Sequence, residues 1–192
     1  MLTVACKDDE PYQEPPPPDD NNTEEPYEEI YGITISLSSS SNWHYFYKDG
    51  DRNKPIAEIG WVKPNNFSIC GSSWHNDKER KRYYYKASLC KAGYHPYGGG
   101  ISDITSIPQG GWAEPGYDNQ PNRLIPCEKE CGYVLKIECY SIYNYNEGSS
   151  TPYTDPDPTY ARIYVINSIV NTSNGVMGVK IEYQYPAFVP KK

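Results

Sequence analysis

Ile33, Ile35 and Leu37 alternate with Thr34, Ser36 and Ser38, the two-residue period of a strand with one buried face. The polar run SSSSN at 38–42 interrupts the pattern. Trp43, Tyr45 and Tyr47 then resume it before KDGD, where Asp49-Gly50 signals a tight turn. Shorter runs of the same kind follow at 56–62, 67–70, 83–90 and 101–107. The last third is plainest. In 133–145 the positions Tyr133, Leu135, Ile137, Cys139 and Tyr143 form an inward face, and Lys136 and Glu138 an outward one. Ala161, Ile163, Val165 and Ile169 form the buried face of the next strand, and Met177, Val179, Ile181, Tyr183 and Tyr185 that of the last. Between these two lies NTSNG, whose Asn174-Gly175 supplies the positive φ angles of a tight reversal, so a C-terminal hairpin is predicted. No window carries a helical period of useful length; NDKERKRYYYK comes nearest and reads as the end of a loop. EGSSTPYTDPDPT reads as an exposed loop. These elements predict an all-β fold, a single β-sandwich or small barrel-like domain of short antiparallel strands over 31–192.

Composition changes the picture at the N-terminus. Ten of the 25 acidic residues and only one basic residue, Lys7, precede residue 31, so the net charge of -7 belongs to that stretch and 31–192 is nearly neutral, with 17 basic against 15 acidic residues. Neither part offers the basic face of a nucleic-acid binder. The 24 residues of 7–30 include six prolines and no periodic apolar pattern, so they bury too little surface to offset their ordering entropy and are expected to form a disordered acidic tether. Fully extended, such a tether reaches about 70 Å. No stretch attains the 18 or so apolar residues of a membrane-spanning helix, so membrane attachment has to be covalent or peripheral.

LTVAC at 2–6 is similar to the end of a bacterial lipoprotein signal peptide, with the small Ala5 ahead of Cys6, and KDDE directly after Cys6 resembles the acidic export signal of Bacteroidota surface lipoproteins. The resemblance implies that 1–5 is the remnant of a truncated signal peptide and that 6–30 is a lipidated tether. It also implies that Cys6 is acylated in outer-membrane lipid, with the domain facing the cell exterior. Acyl chains contribute about 0.8 kcal/mol per buried CH₂, enough for stable anchoring when two or three are attached. Over about 101–188, the blocks ITSIPQGGW, GYV, YARIYV and GVMGVKIEYQYPAF resemble, in that order, a family of Bacteroidota surface lipoproteins without an assigned activity. CEKEC ahead of GYV and a long insertion after it depart from that pattern. The family brings no catalytic residue and no cofactor to this chain.

Cys70, Cys90, Cys127, Cys131 and Cys139 remain. In an oxidising exterior they predict two disulfides and one leftover thiol. Cys70 with Cys90 closes about 20 residues, for about 3 kcal/mol of loop-closure entropy; the second bridge joins Cys127 or Cys131 to Cys139. A zinc site built on C-x3-C-x7-C with His44, His75 or His95 lacks the paired knuckles of structural zinc, and no metal is expected. Ser73, His75 and Asp77 in SSWHND are too close in sequence to converge as a triad, and DPDP at 155–158 lacks the glycine and further acids of a calcium loop.

The aromatic excess, 20 Tyr and 4 Trp, is the remaining signal. Tyr83, Tyr84 and Tyr85 are consecutive, so a strand turns at least one outward. With Trp74, Tyr94, Tyr97, Trp112 and Tyr117 they form a candidate platform for sugar rings or another protein; the alternative is that tyrosines replace aliphatics in the core with their hydroxyls reaching water. The function expected is that of a non-catalytic surface protein binding glycan or protein, with a structural subunit of a surface assembly as the second expectation.

Overall fold

The computed structural model describes residues 30–36, 43–62, 64–94, 100–171, 173 and 175–188; Cys6, the tether, His95, Tyr97 and Asn174 lie outside the described residues. Twelve strands are present among them: β1 (Tyr31–Ser36), β2 (Trp43–Tyr47), β3 (Pro55–Val62), β4 (Asn66–Gly71), β5 (Ser73–Asn76), β6 (Lys81–Tyr94), β7 (Gly116–Tyr117), β8 (Ile125–Pro126), β9 (Cys131–Asn144), β10 (Ser149–Pro152), β11 (Thr159–Asn171) and β12 (Gly175–Ala187). They form two antiparallel sheets. The large one runs β1-β12-β11-β9-β6-β5, with β10 on β9 and β7 on β6, and the small one runs β2-β3-β4-β8. Neither closes, so of the two expected architectures the chain adopts the sandwich.

The core lies between the sheets. Phe46, Ala57, Ile59, Trp61, Phe67 and Ile69 of the small sheet meet Leu89, Tyr133, Leu135, Ile137, Ala161, Ile163, Val165, Val179 and Ile181 of the large one, each at most 2% exposed. Removing a side chain of this size from water contributes roughly 1.5–3 kcal/mol. Two of the largest core residues are polar at one end, and both ends are satisfied. Tyr133 donates its hydroxyl proton to the Pro126 carbonyl at 2.8 Å and accepts from the Glu128 amide at 3.0 Å, while Trp61 Nε1 donates to Asn65 Oδ1 at 3.0 Å.

The outer face of the large sheet is also partly covered. Ile101, Ile104, Val134 and Tyr164 form a second, smaller cluster, against which Trp112, Tyr160 and Phe188 pack. The strand predicted at 101–107 is instead a 3-10 turn, Gly100–Asp103, followed by irregular chain. Ile101 and Ile104 are its only buried side chains and stand three apart, the spacing of a helical turn. Arg162 Nη1 holds the segment by donating to the Ile104 carbonyl at 3.0 Å.

The C-terminal hairpin is formed, with Asn171 opposite Gly175. In three strands the inward face differs from the expected one. In β2 it is Phe46 that is buried, with His44 half-buried, and Tyr45 is exposed. In β9, Tyr85 pairs with Cys139 and Tyr84 with Ser141, so Tyr140 is an extra residue; beyond it Ile142, not Tyr143, packs against the core. In β11, Val165 pairs with Ile181 and Asn167 with Lys180, so Ile166 is extra and Ile169 emerges 37% exposed. One inserted residue exchanges every later side chain between faces. The loop predicted at 147–159 contains the short strand β10.

Candidate functional site

Two chain reversals meet at one end of the sandwich. The first is the turn between β2 and β3, where Asp49 and Gly50 take φ of 52° and 70°, as the Asp-Gly pair predicts. The second is the stretch 153–158 between β10 and β11. They flank a cavity of about 530 Å³ whose floor is Ile56, Tyr85 and Tyr185 and whose rim carries Lys48, Asp49, Tyr153, Asp155 and Asp157. Prolines at 156 and 158 bar this stretch from extending the ladder. Asp155 folds it instead, accepting the Cys139 amide on Oδ2 at 2.9 Å and the Asp157 amide on Oδ1 at 3.1 Å.

The floor tyrosines are neutral donors. Burial, with the Cys139 thiol, Asp155 and Asp49 nearby, pushes the Tyr85 phenol up to about 12, and burial with Asp49 and Tyr85 raises that of Tyr185. Trp74 Nε1 donates to the Tyr85 hydroxyl at 3.4 Å, which leaves that hydroxyl's own proton for another acceptor.

The cavity continues on both sides. A depression of about 350 Å³ shares Gly50 and Tyr185 with it and passes between β1 and β2, lined by Tyr31, His44, Tyr45, Phe46, Tyr47, Arg52 and Tyr183. There Tyr31 stacks on Tyr183 at 5.4 Å and His44 tilts against Tyr183 at 4.5 Å. Burial lowers His44 to about 4, so its imidazole is neutral at neutral pH. On the other side a further depression of about 350 Å³ shares Asp157, Thr159 and Pro186 and ends at Tyr160 and Phe188. The three lie side by side around the end of the domain, sharing these lining residues, and together make up a grooved surface with aromatic side chains in each part and Asp49, Asp155 and Asp157 in the central one.

The structure divides the aromatic residues expected to form a single platform. Trp74 and Tyr83 stack at 4.8 Å, half-buried against the core. Tyr84 and Tyr117 flank Tyr140, at 6.5 and 4.9 Å, with the Arg82 guanidinium 5.3 Å over the Tyr84 ring. Trp112 belongs to the second cluster, under Lys136 at 5.3 Å. Among the described residues of that set, only Tyr85 reaches the groove. Alternation explains the division, because consecutive residues of β6 serve opposite faces. The groove residues Asp49, Tyr153, Asp155, Asp157, Tyr183 and Tyr185 were not singled out by the sequence as binding residues. The signal for them was the pair of turn motifs, KDGD and DPDP, which only the fold sets side by side.

The remaining candidates stay apart. His75 Nδ1 pairs with Asp77 at 3.3 Å beneath Tyr145, while the Ser73 hydroxyl donates to Asp118 at 2.9 Å and accepts from Arg82; the three do not assemble as a triad. Among the described residues no group of three or more His, Cys, Asp or Glu is placed to hold a metal ion. Cys70, Cys90, Cys127, Cys131 and Cys139 are all buried free thiols, so the structure contains neither of the two bridges expected. Cys70 engages the Tyr117 carbonyl and Cys90 that of Gly110. Burial and the neighbouring Asp155 raise the Cys139 thiol, and burial together with the nearby Cys131 raises that of Cys127. Comparison of the chain with family models, with curated proteins and with solved structures finds no match.

Proposed function

We propose that the chain is a non-catalytic cell-surface protein, anchored in the outer membrane through acylated Cys6, whose domain binds an oligosaccharide in the end groove. The observation that carries this reading is the lining of the central cavity. Tyr153 and Tyr185 offer apolar ring surface for the C–H faces of sugars, and Asp49, Asp155 and Asp157 offer carboxylates to their hydroxyls. An elongated groove with few fixed polar groups suits a chain of several sugars better than one small, enclosed ligand. The anchor rests on LTVAC followed by KDDE. Binding rather than catalysis is supported by the positions of His44 among aromatic rings and of His75, which pairs with Asp77 on its own hairpin and does not line the cavity.

The test is a glycan array followed by affinity electrophoresis, with Tyr153→Ala beside the wild type and Tyr84→Ala as a control outside the groove. Retardation that is lost in Tyr153→Ala and kept in Tyr84→Ala is expected, and a wild type retarded by no glycan overturns the reading. For the anchor, palmitate incorporation in cells should disappear in Cys6→Ala.

A further inference from the structure

The strand edges of the domain are not alike. Native sheets guard a free edge with charge, proline, a bulge or shortness, because its unpaired amides and carbonyls otherwise template another strand. Among the described residues, β5 has four residues and leads into the charged turn Asp77-Lys78-Glu79-Arg80, β8 has two and includes Pro126, and β10 has four and ends at Pro152. β2, at the edge of the small sheet, is bulged between Phe46 and Tyr47. β1 has none of these guards. Its six residues, YGITIS, carry no charge and no proline, and they pair with β12 from Tyr31 opposite Tyr183 to Ser36 opposite Gly178 without a register shift. No described strand pairs with its outer edge.

Two observations identify the occupant. Apolar exposure gathers at this edge, where Ile30 is 47% exposed, Tyr31 43% and Tyr45, across the depression on β2, 39%, a combination that marks a protein contact. The edge is also complementary to itself. Antiparallel pairing with a second β1 about a two-fold axis through Ile33 sets residue 31 opposite 35, residue 32 opposite 34 and residue 30 opposite 36. Odd positions meet odd positions, so the core side of one strand, on which Ile33 packs, continues into the core side of the other. The ten acidic residues ahead of residue 31 do not oppose this arrangement. Antiparallel strands start at opposite ends, about 20 Å apart for six residues, which is well beyond the ~8 Å screening length of physiological salt. A parallel copy would set the two acidic stretches side by side.

We infer that the outer edge of β1 joins a second copy of this chain, making a two-fold dimer in which the large sheet runs on from one domain into the other. A six-residue edge buries less than the roughly 800 Å² per partner of a standard interface, so the pair is weak in dilute solution. On the anchor reading, confinement of both copies to one membrane surface raises their effective concentration and completes the pairing.

Sedimentation equilibrium and cysteine cross-linking test this on the full chain carrying Cys6→Ala, which removes the one cysteine outside the described residues. The mean mass should climb with concentration from that of one chain and level off at that of two. Thr34→Lys, which sets a charge in the middle of the edge, should weaken the association at least about tenfold with unchanged circular dichroism. Ile33→Cys should cross-link to its own copy under mild oxidation, because residue 33 meets residue 33. Ile35→Cys should not, since its two copies stand four residues, about 14 Å, apart along the pair. A mass that stays at that of one chain at about 1 mM, where even a millimolar Kd would show, overturns the inference. A dimer undisturbed by Thr34→Lys overturns it as well, and so does cross-linking as strong from Ile35→Cys as from Ile33→Cys. The oligosaccharide reading stands or falls separately, on the glycan array.

Discussion

A Cβ placed on Gly71 would overlap the carbonyl oxygen of Tyr85, because the small sheet runs directly onto the large one at this point. Ser72 donates its amide to the Ile56 carbonyl at 3.0 Å and accepts the Tyr85 amide at 2.9 Å, so the backbone cannot retreat without breaking the junction. Gly71→Ala should therefore lower stability by about 2–4 kcal/mol in urea titrations. Gly60→Ala is the contrast. Its Cβ would meet the Trp43 ring at 2.7 Å, a half-buried side chain rather than backbone, and a smaller loss of about 1–2 kcal/mol is expected. Equal losses would show that the two sheets yield at their junction.

His44 gives the domain an acid-sensitive component. Its folded pKa of about 4 lies below the ordinary 6.5, so between these values the unfolded chain binds a proton that the folded chain refuses. The contribution is complete above about pH 6.5 and is lost as pH falls toward 4. The upper bound is about 3 kcal/mol, reduced to about 1–2 by the solvent that still reaches the ring. The difference between wild type and His44→Phe in urea midpoint should be constant above about pH 6.5 and shift against the wild type as pH falls through this window.

The thiols should be inert while the domain is folded. Burial pushes Cys127 up to about 12 and Cys139 to about 11, and the thiolate is the reactive form. Iodoacetamide near pH 8 should label the native domain at least about a hundredfold more slowly than the unfolded chain. Peptide mapping of the folded domain should recover all five thiols reduced; a Cys70–Cys90 bridge would contradict the separate contacts of Cys70 with the Tyr117 carbonyl and of Cys90 with that of Gly110.

The extra residue in β9 can be read by mutation. Ile142 packs against the core and Tyr143 does not, so Ile142→Ala should cost about 1–2 kcal/mol and Tyr143→Ala under about 0.5. The reverse order would restore the uninterrupted alternation.

Alternation along the chain was enough to identify an all-β domain and the buried faces of Leu135, Ile163 and Ile181, because an uninterrupted strand has only two faces to choose from. It failed where one residue is inserted, at Tyr140 and Ile166. Insertion is a property of the pairing of two strands, and neither strand shows it alone. In β2 the choice between Tyr45 and Phe46 turned on a hydroxyl, since Phe46 has none to satisfy and takes the interior. The groove was less legible still. Asp49 and Asp157 are 108 positions apart, each inside an ordinary turn motif, and their proximity depends on how the small sheet lies across the large one.

Both walls of that groove are reversals outside the main strand ladder. Asp155 apart, which ties its reversal to the Cys139 amide, their side chains can be exchanged in evolution without disturbing the packing of Leu135 or Ile163. On the binding reading proposed above, specificity is thereby uncoupled from the integrity of the scaffold, and close relatives would diverge in what they capture while melting at similar temperatures.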